Sequence, residues 1–214
     1  KEQKKIYKEL QDYALAELED FETVTTASVI TQILRLQQVV CGFVRSDQGK
    51  ILEIPNNRMT ELLSIFEESD SKCIIWANYQ YDIRKIESEI AKVYGRDSVA
   101  SYYGETPPKE RQSIVNRFQD PDSELRFFVG QPRTGGFGLT LTQGTTVIYY
   151  SNSYDLETRL QSEDRAHRIG QENKVTYIDL CAYKTVDEKI IKSLRSKINM
   201  ATQILGEEYR KWLL

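Results

Sequence analysis

KCIIWANYQYDIRKIESEIAKVYG, residues 72–95, carries two periodicities in one stretch. Its first seven residues form a short apolar run of strand length. From Gln80 onward the pattern is that of an amphipathic helix, and Gly95 supplies its stop. The same alternation recurs downstream. Strands are expected at 98–104, 125–130, 146–151 and 174–181. Helices are expected at 107–120, opened by two prolines, and across 155–170. Strands that alternate with helices predict an α/β fold with a parallel sheet covered on both faces. Ligands of such sheets gather on the loops at the carboxyl ends of the strands.

Upstream, EQKKIYKELQDYALAELEDF places Ile6, Leu10, Tyr13, Leu15 and Leu18 near a 3.6-residue period. Thr25, Thr26 or Ser28 can cap a second helix, SVITQILRLQQVVCGFV. RSDQGKILEIPNN reads as a turn-rich break, and a third helix is expected over 57–68. The tail from Thr185 follows a long helical pattern.

The chain has 214 residues, 40% hydrophobic and 29% charged, with a formal net charge of −3. A sizeable core is expected, and global disorder is not. A polyanion must be met by a local patch, because the bulk charge is acidic. Cys41, Cys73 and Cys181 lack zinc-site spacing. Cys73 and Cys181 lie in apolar runs and are expected to be buried, as in a reducing cell interior. No apolar run reaches about 18 residues, so no spanning helix is expected. The start, KEQKKIYKEL, has no signal-peptide core. It also begins without Met and mid-pattern, so the chain is expected to be a piece of a longer protein.

Two stretches could carry chemistry. GQPRTGGFGLTLT, 130–142, follows a strand and packs three glycines into four residues. It is either a structural turn or a loop whose amides approach an anion. No G-K-[ST] follows, so it is not a phosphate loop of the Walker type. QSEDRAHRIGQ, 161–171, places Gln161, Arg165 and Arg168 at i, i+4 and i+7, one stripe of a helix. Two guanidinium forks suit phosphate oxygens. They repel each other unless an anion joins them or Glu163 and Asp164 neutralise them; otherwise the stretch is a solvated helix end. His167, the one histidine, has no partner for a metal site and is expected to be a structural hydrogen-bonder.

KCIIWANYQ, YYGETPPKERQSIVNRF, TGGFGLTLT and DRAHRIGQ, in that order, resemble the Swi/Snf-type ATP-dependent DNA translocases of helicase superfamily two, most closely their small phage or bacterial members. The likeness runs from about residue 57, and ITQILRLQQVVCG is similar to the helical lead-in to the family's second lobe. It implies a helical lead-in over 1–56, a RecA-like second lobe over 57–185 and a C-terminal helical extension over 186–214 packed on that lobe.

The resemblance also implies a division of labour. ATP and Mg²⁺ would be bound mainly by a first RecA-like lobe of the same polypeptide, since this chain has neither a phosphate loop nor an acidic box. Arg165 and Arg168 match the arginine-finger motif, with Arg168 the stronger candidate, and Gln161 matches its leading glutamine. Gly136 and Gly138 match a loop near the nucleotide. Asn78, Tyr79, Gly104, Lys109, Arg111, Arg133 and Thr134 match positions facing double-stranded DNA. For Arg111 the competing reading is an internal salt bridge. The chain departs from the family at Gln131 and Pro132, where serine and threonine are usual, and at SNSYDLE. There the family's coupling tryptophan is absent, although Tyr154 is a possible substitute. The expected setting is a bacterial or phage-infected cytoplasm, or a nucleus in a eukaryote, with no membrane. The alternative is a non-catalytic module that docks on DNA or protein. A small-molecule enzyme would need an acid–base or nucleophile cluster, which the sequence lacks.

Overall fold

A chain segment buried on both faces must be apolar throughout and hydrogen-bonded on both edges. The central four-residue strands CIIW and FFVG meet that condition in a computed structural model, which describes residues 1–19, 25–46, 48–134, 139–197 and 210–213. The elements are α1 (Glu2–Glu19), α2 (Thr26–Cys41), β1 (Phe43–Arg45), β2 (Ile51–Glu53), α3 (Arg58–Glu67), β3 (Cys73–Trp76), α4 (Gln80–Tyr94), β4 (Val99–Tyr102), α5 (Pro108–Gln119), β5 (Phe127–Gly130), β6 (Thr146–Tyr149), α6 (Leu156–Glu163), β7 (Thr176–Asp179) and α7 (Val186–Arg195), followed by a helical turn, Arg210–Leu213.

The chain forms two compact units. One holds Met59–Ser153 and Glu157–Leu180. Its parallel sheet has the order β4-β5-β3-β6-β7. Ile74 lies opposite Phe128 and Val147, and Ile75 opposite Val129 and Ile148. Alternation along each strand sends these two sets to opposite faces. Ile75, Val129 and Ile148 pack with Leu62 and Phe66 of α3 and with Ile83, Ile86 and Ile90 of α4. Ile74, Trp76, Phe128 and Val147 pack with Ile114 and Phe118 of α5. Burying such side chains contributes roughly 1.5–3 kcal/mol each.

The other unit holds Lys1–Arg58, Tyr154–Leu156 and Cys181–Leu214. Leu18, Val29, Ile33, Leu36, Ile190 and Leu194 form its core. Thr25 and Ser28 make a capping box at the start of α2. Gly42 ends that helix at φ +92, and a Cβ there would sit 1.7 Å from Asn56 Nδ2, so only glycine fits. Arg58 pairs with buried Asp187, and Tyr7 Oη accepts the Val186 N–H at 2.9 Å.

All five strands and the intervening helices lie where the sequence placed them. Four expectations need correction. The second helix stops at Cys41, and the turn-rich break contains an antiparallel hairpin, β1–β2. The helix expected over 155–170 ends at Glu163, and 164–170 are turns. The tail helix α7 stops at Arg195, where Lys197 takes a positive φ of 54°; residues 198–209 lie outside the described residues. Cys73 and Cys41 are buried, but Cys181 is exposed.

Candidate functional site

The carboxyl ends of the strands are tied by one run of hydrogen bonds. Gln131 N–H, just past β5, donates to Tyr102 O at the end of β4, at 3.1 Å. The Gln131 side chain donates to Asn78 O beyond β3, at 3.0 Å. Asn78 N–H donates to Ser151 Oγ beyond β6, at 2.8 Å. Asn152 Nδ2 then reaches Asp179 of β7 at 3.0 Å. The run follows the strand order across the sheet, so each strand end on this edge is tied to its neighbour.

The loop after β5 opens with a turn in which Thr134 N–H and Oγ1 meet Gln131 O and Oε1, at 3.0 and 3.1 Å. This turn leaves Arg133 exposed and Thr134 half-buried. Gly136 and Gly138 lie outside the described residues. Gln131 and Pro132 thus have structural partners here, the glutamine within the run and the proline through its carbonyl.

After β4, Gly104 is exposed, as is Lys109 in the first turn of α5. Arg111 Nε donates to Thr106 O at 3.0 Å, and its Nη2 to Tyr103 O at 3.3 Å and Gly104 O at 3.4 Å. The competing salt bridge is replaced by a fork on three carbonyls, which clamps the loop around Gly104. Asn78 and Tyr79 are half-buried, and Tyr79 is the N-cap residue of α4.

Because α6 ends at Glu163, Gln161, Arg165 and Arg168 do not form a helical stripe. Gln161 is exposed on α6 and donates to Glu157 at 3.0 Å. Arg165 turns inward and is 7% exposed. Its Nη2 donates to Pro132 O at 2.9 Å, and its guanidinium lies 5.1 Å from the Trp76 ring centre. Its Nη1 is buried and makes no hydrogen bond among the described residues. Burial pushes its pKa below the usual arginine range. Arg168 is exposed, and its Nη1 donates to Thr140 Oγ1 at 3.0 Å. His167 is exposed, with its N–H on Glu163 O. Tyr154 packs against the helical core of its own unit.

Glu163 neutralises neither finger candidate. It pairs with Arg159 at 2.6 Å, while Arg159 also reaches Asp179 at 2.5 Å and Asn152 at 2.7 Å and lies 3.5 Å over the Tyr149 ring. Burial opposes the Arg159 charge, but Tyr149, Asp179 and Glu163 outweigh it, and its pKa rises. Arg159 is the residue that sequence reasoning missed. Its signal was the i,i+4 spacing to Glu163 on a helix.

The chain matches the helicase conserved C-terminal domain over residues 56–170. It is 27% identical over 206 residues to an uncharacterized ATP-dependent helicase of Mycoplasma pneumoniae, covering 95% of this chain and 20% of that protein. It is 29% identical over 151 residues to the SWI/SNF-related matrix-associated actin-dependent regulator of chromatin subfamily A member 1 of Mus musculus, covering 71% of this chain and 12% of that protein. The chain therefore spans a fifth or less of the length of these relatives. Among solved structures it resembles the Sulfolobus solfataricus SWI2/SNF2 ATPase core in complex with dsDNA, with a TM-score of 0.75 and 23% identity over 98% of this chain and 46% of that one. The C-terminal domain of that ATPase gives 0.66 and 22%, over 97% and 86%. No described helix is long and apolar enough to cross a membrane.

Proposed function

We propose, from the premise that the chain belongs to the family of helicase conserved C-terminal domains, is of the Swi/Snf type and has a RecA-like α/β fold, that it is the second motor lobe of an ATP-driven translocase on double-stranded DNA. The observation that carries this reading is the hydrogen-bonded carboxyl edge, which fixes the DNA-facing loops and the arginine segment to one rigid sheet. ATP and Mg²⁺ fall to a first lobe of the same polypeptide. Residues 57–185 do the work of the lobe, with 1–56 as its lead-in and 186–214 as an extension.

In this reading the exposed Arg168 guanidinium meets the developing charge on the γ-phosphate, with Gln161 on the preceding helix orienting the nucleotide end. Gly136 and Gly138 belong to the loop near the nucleotide. Arg133, Thr134, Lys109, Asn78, Tyr79 and the Gly104 amide meet DNA phosphates, and Arg111 holds the Gly104 loop in place. Phosphate contacts position a protein without reading sequence, which suits a motor that tracks any duplex.

The test is duplex binding by this chain at three salt concentrations and on two unrelated sequences. Weak binding without sequence preference is expected, with a log–log salt slope of about −2 to −4 from a few phosphate contacts. Arg133→Glu should weaken both duplexes alike and flatten the slope by about one. Equal slopes for the two proteins would move the DNA face elsewhere, and no binding by the wild type would remove DNA contact from this chain.

A further inference from the structure

Every polar atom of Gln131, the residue that follows β5, is engaged. Its N–H donates to Tyr102 O at the end of β4, and its carbonyl accepts the Thr134 N–H, at 3.1 and 3.0 Å. Its side chain works in both directions. Nε2 donates to Asn78 O at 3.0 Å, and Oε1 accepts from the Thr134 hydroxyl at 3.1 Å. One half-buried side chain therefore joins the end of β3 to the turn that exposes Arg133. A carboxamide donates from one atom and accepts at the other. A carboxylate in its place keeps only the acceptor, and an apolar chain keeps neither.

Asn78 is held on both sides of its own backbone. Its N–H donates to Ser151 Oγ at 2.8 Å, and its carbonyl accepts from Gln131 Nε2. Its side chain makes no hydrogen bond among the described residues, which leaves a carboxamide with two N–H donors on a fixed backbone. We infer that Gln131 is a positioning residue that seats Asn78 against the Thr134 turn, so that the Asn78 carboxamide is presented to a ligand at the carboxyl edge of the sheet. The inference deepens the functional reading above and rests on it only for the identity of that ligand, a duplex phosphate. A carboxamide N–H can meet a phosphate oxygen, a contact that positions the duplex without reading its sequence.

Amide hydrogen exchange of this chain, beside duplex titration, tests the assignment. In Gln131→Met the Asn78 and Thr134 amides should both exchange about tenfold faster, as local opening does. The β3 and β5 amides should stay as they are. Gln131→Glu keeps the acceptor for Thr134 and loses the donor to Asn78. In that variant the Asn78 amide alone should quicken, and Thr134 should stay as in the wild type. Asn78→Ala should leave the Thr134 amide unchanged. Duplex affinity should fall about three- to tenfold in Gln131→Met and in Asn78→Ala, the scale of one neutral hydrogen bond. The double variant should fall little further. Unchanged protection in a folded Met variant overturns the proposal. If the Met variant does not fold, an equal response of the two amides in the Glu variant overturns it. Lost duplex binding with both amides undisturbed would make Gln131 itself the ligand contact, and also overturns it, as do additive losses in the double variant. If the wild type binds no duplex, DNA contact fails as a function, while the exchange result still decides the role of Gln131.

Discussion

A guanidinium on a solvent-facing turn and one sealed under a loop answer differently to truncation. Arg168 is the exposed one, braced by Thr140. In the two-lobe protein of the proposed function, Arg168→Ala should lower DNA-stimulated ATP hydrolysis by about a hundredfold or more, since the transition-state charge loses a preorganised partner. Fingers of this kind are worth roughly 10³–10⁵ in rate in other nucleotide hydrolases. Nucleotide affinity should change much less. Arg168→Lys should recover only part of the rate, because an ammonium lacks the bidentate fork. Steady-state turnover beside equilibrium nucleotide binding separates the two quantities, and a loss of turnover below about threefold would end the assignment.

Helix α6 is held to the sheet by charge as much as by apolar packing. The Arg159 and Asp179 side chains are 10% and 5% exposed, so their pairing is largely desolvated. Removing one partner strands the other charge in the interior, which costs roughly 3–5 kcal/mol, whereas removing both costs less. Arg159→Met should therefore lower the thermal midpoint by roughly 6–20 °C on the scale for a chain of this size. Adding Asp179→Asn should restore part of it. Additive losses in that double-mutant cycle would show the pair to be uncoupled. The same elements show what a sequence discloses. The central strands were legible because runs such as CIIW and FFVG are apolar on both faces, and the others through their alternation with helices. The β1–β2 hairpin was not, because its strands are three residues long and all three residues of β2 are exposed. The end of α6 was hidden because residues 161–168 keep helical spacing, while the inward turn of Arg165 is set by Trp76 and Pro132, far away in sequence. Arg165, Arg168 and Arg111 were legible as residue types, but their partners are backbone carbonyls or a hydroxyl, and carbonyls carry no sequence signature.

Each unit of the molecule contains a group that burial keeps protonated. The Cys73 thiol, inside the sheet unit, is pushed up by burial to about 11, against a lowering by the Ser71 side chain and by Arg126. The Tyr7 phenol, inside the helical unit, is pushed up by burial to about 12. A folded pKa above the unfolded one stabilises fully below the unfolded value, and that stability is lost as pH rises through the folded value. Stability should thus hold to about pH 8.5–9 and then fall, over pH 9–11 for the sheet unit and pH 10–12 for the helical unit. A hundredfold weaker acid corresponds to about 2.7 kcal/mol for each group. Cys73→Ala should flatten the first fall and Tyr7→Phe the second. Trp76 and Trp212, the two tryptophans, lie one in each unit and allow denaturant titrations to follow them separately. A pH profile that keeps its shape in both variants would reject this account.

The pairing of Tyr7 with Val186 has a temporal side as well. The two residues are 179 positions apart, and the sheet unit is encoded almost wholly between them. At about 5–20 residues per second, a ribosome takes roughly ten to forty seconds to travel from one to the other. During that interval α1 and α2 are outside the tunnel with their apolar stripes uncovered by α7, while the sheet gains its strands in turn. Helices α1 and α2 are thus made before the sheet unit and completed after it, and in the nascent chain they are a surface that a holdase chaperone would meet.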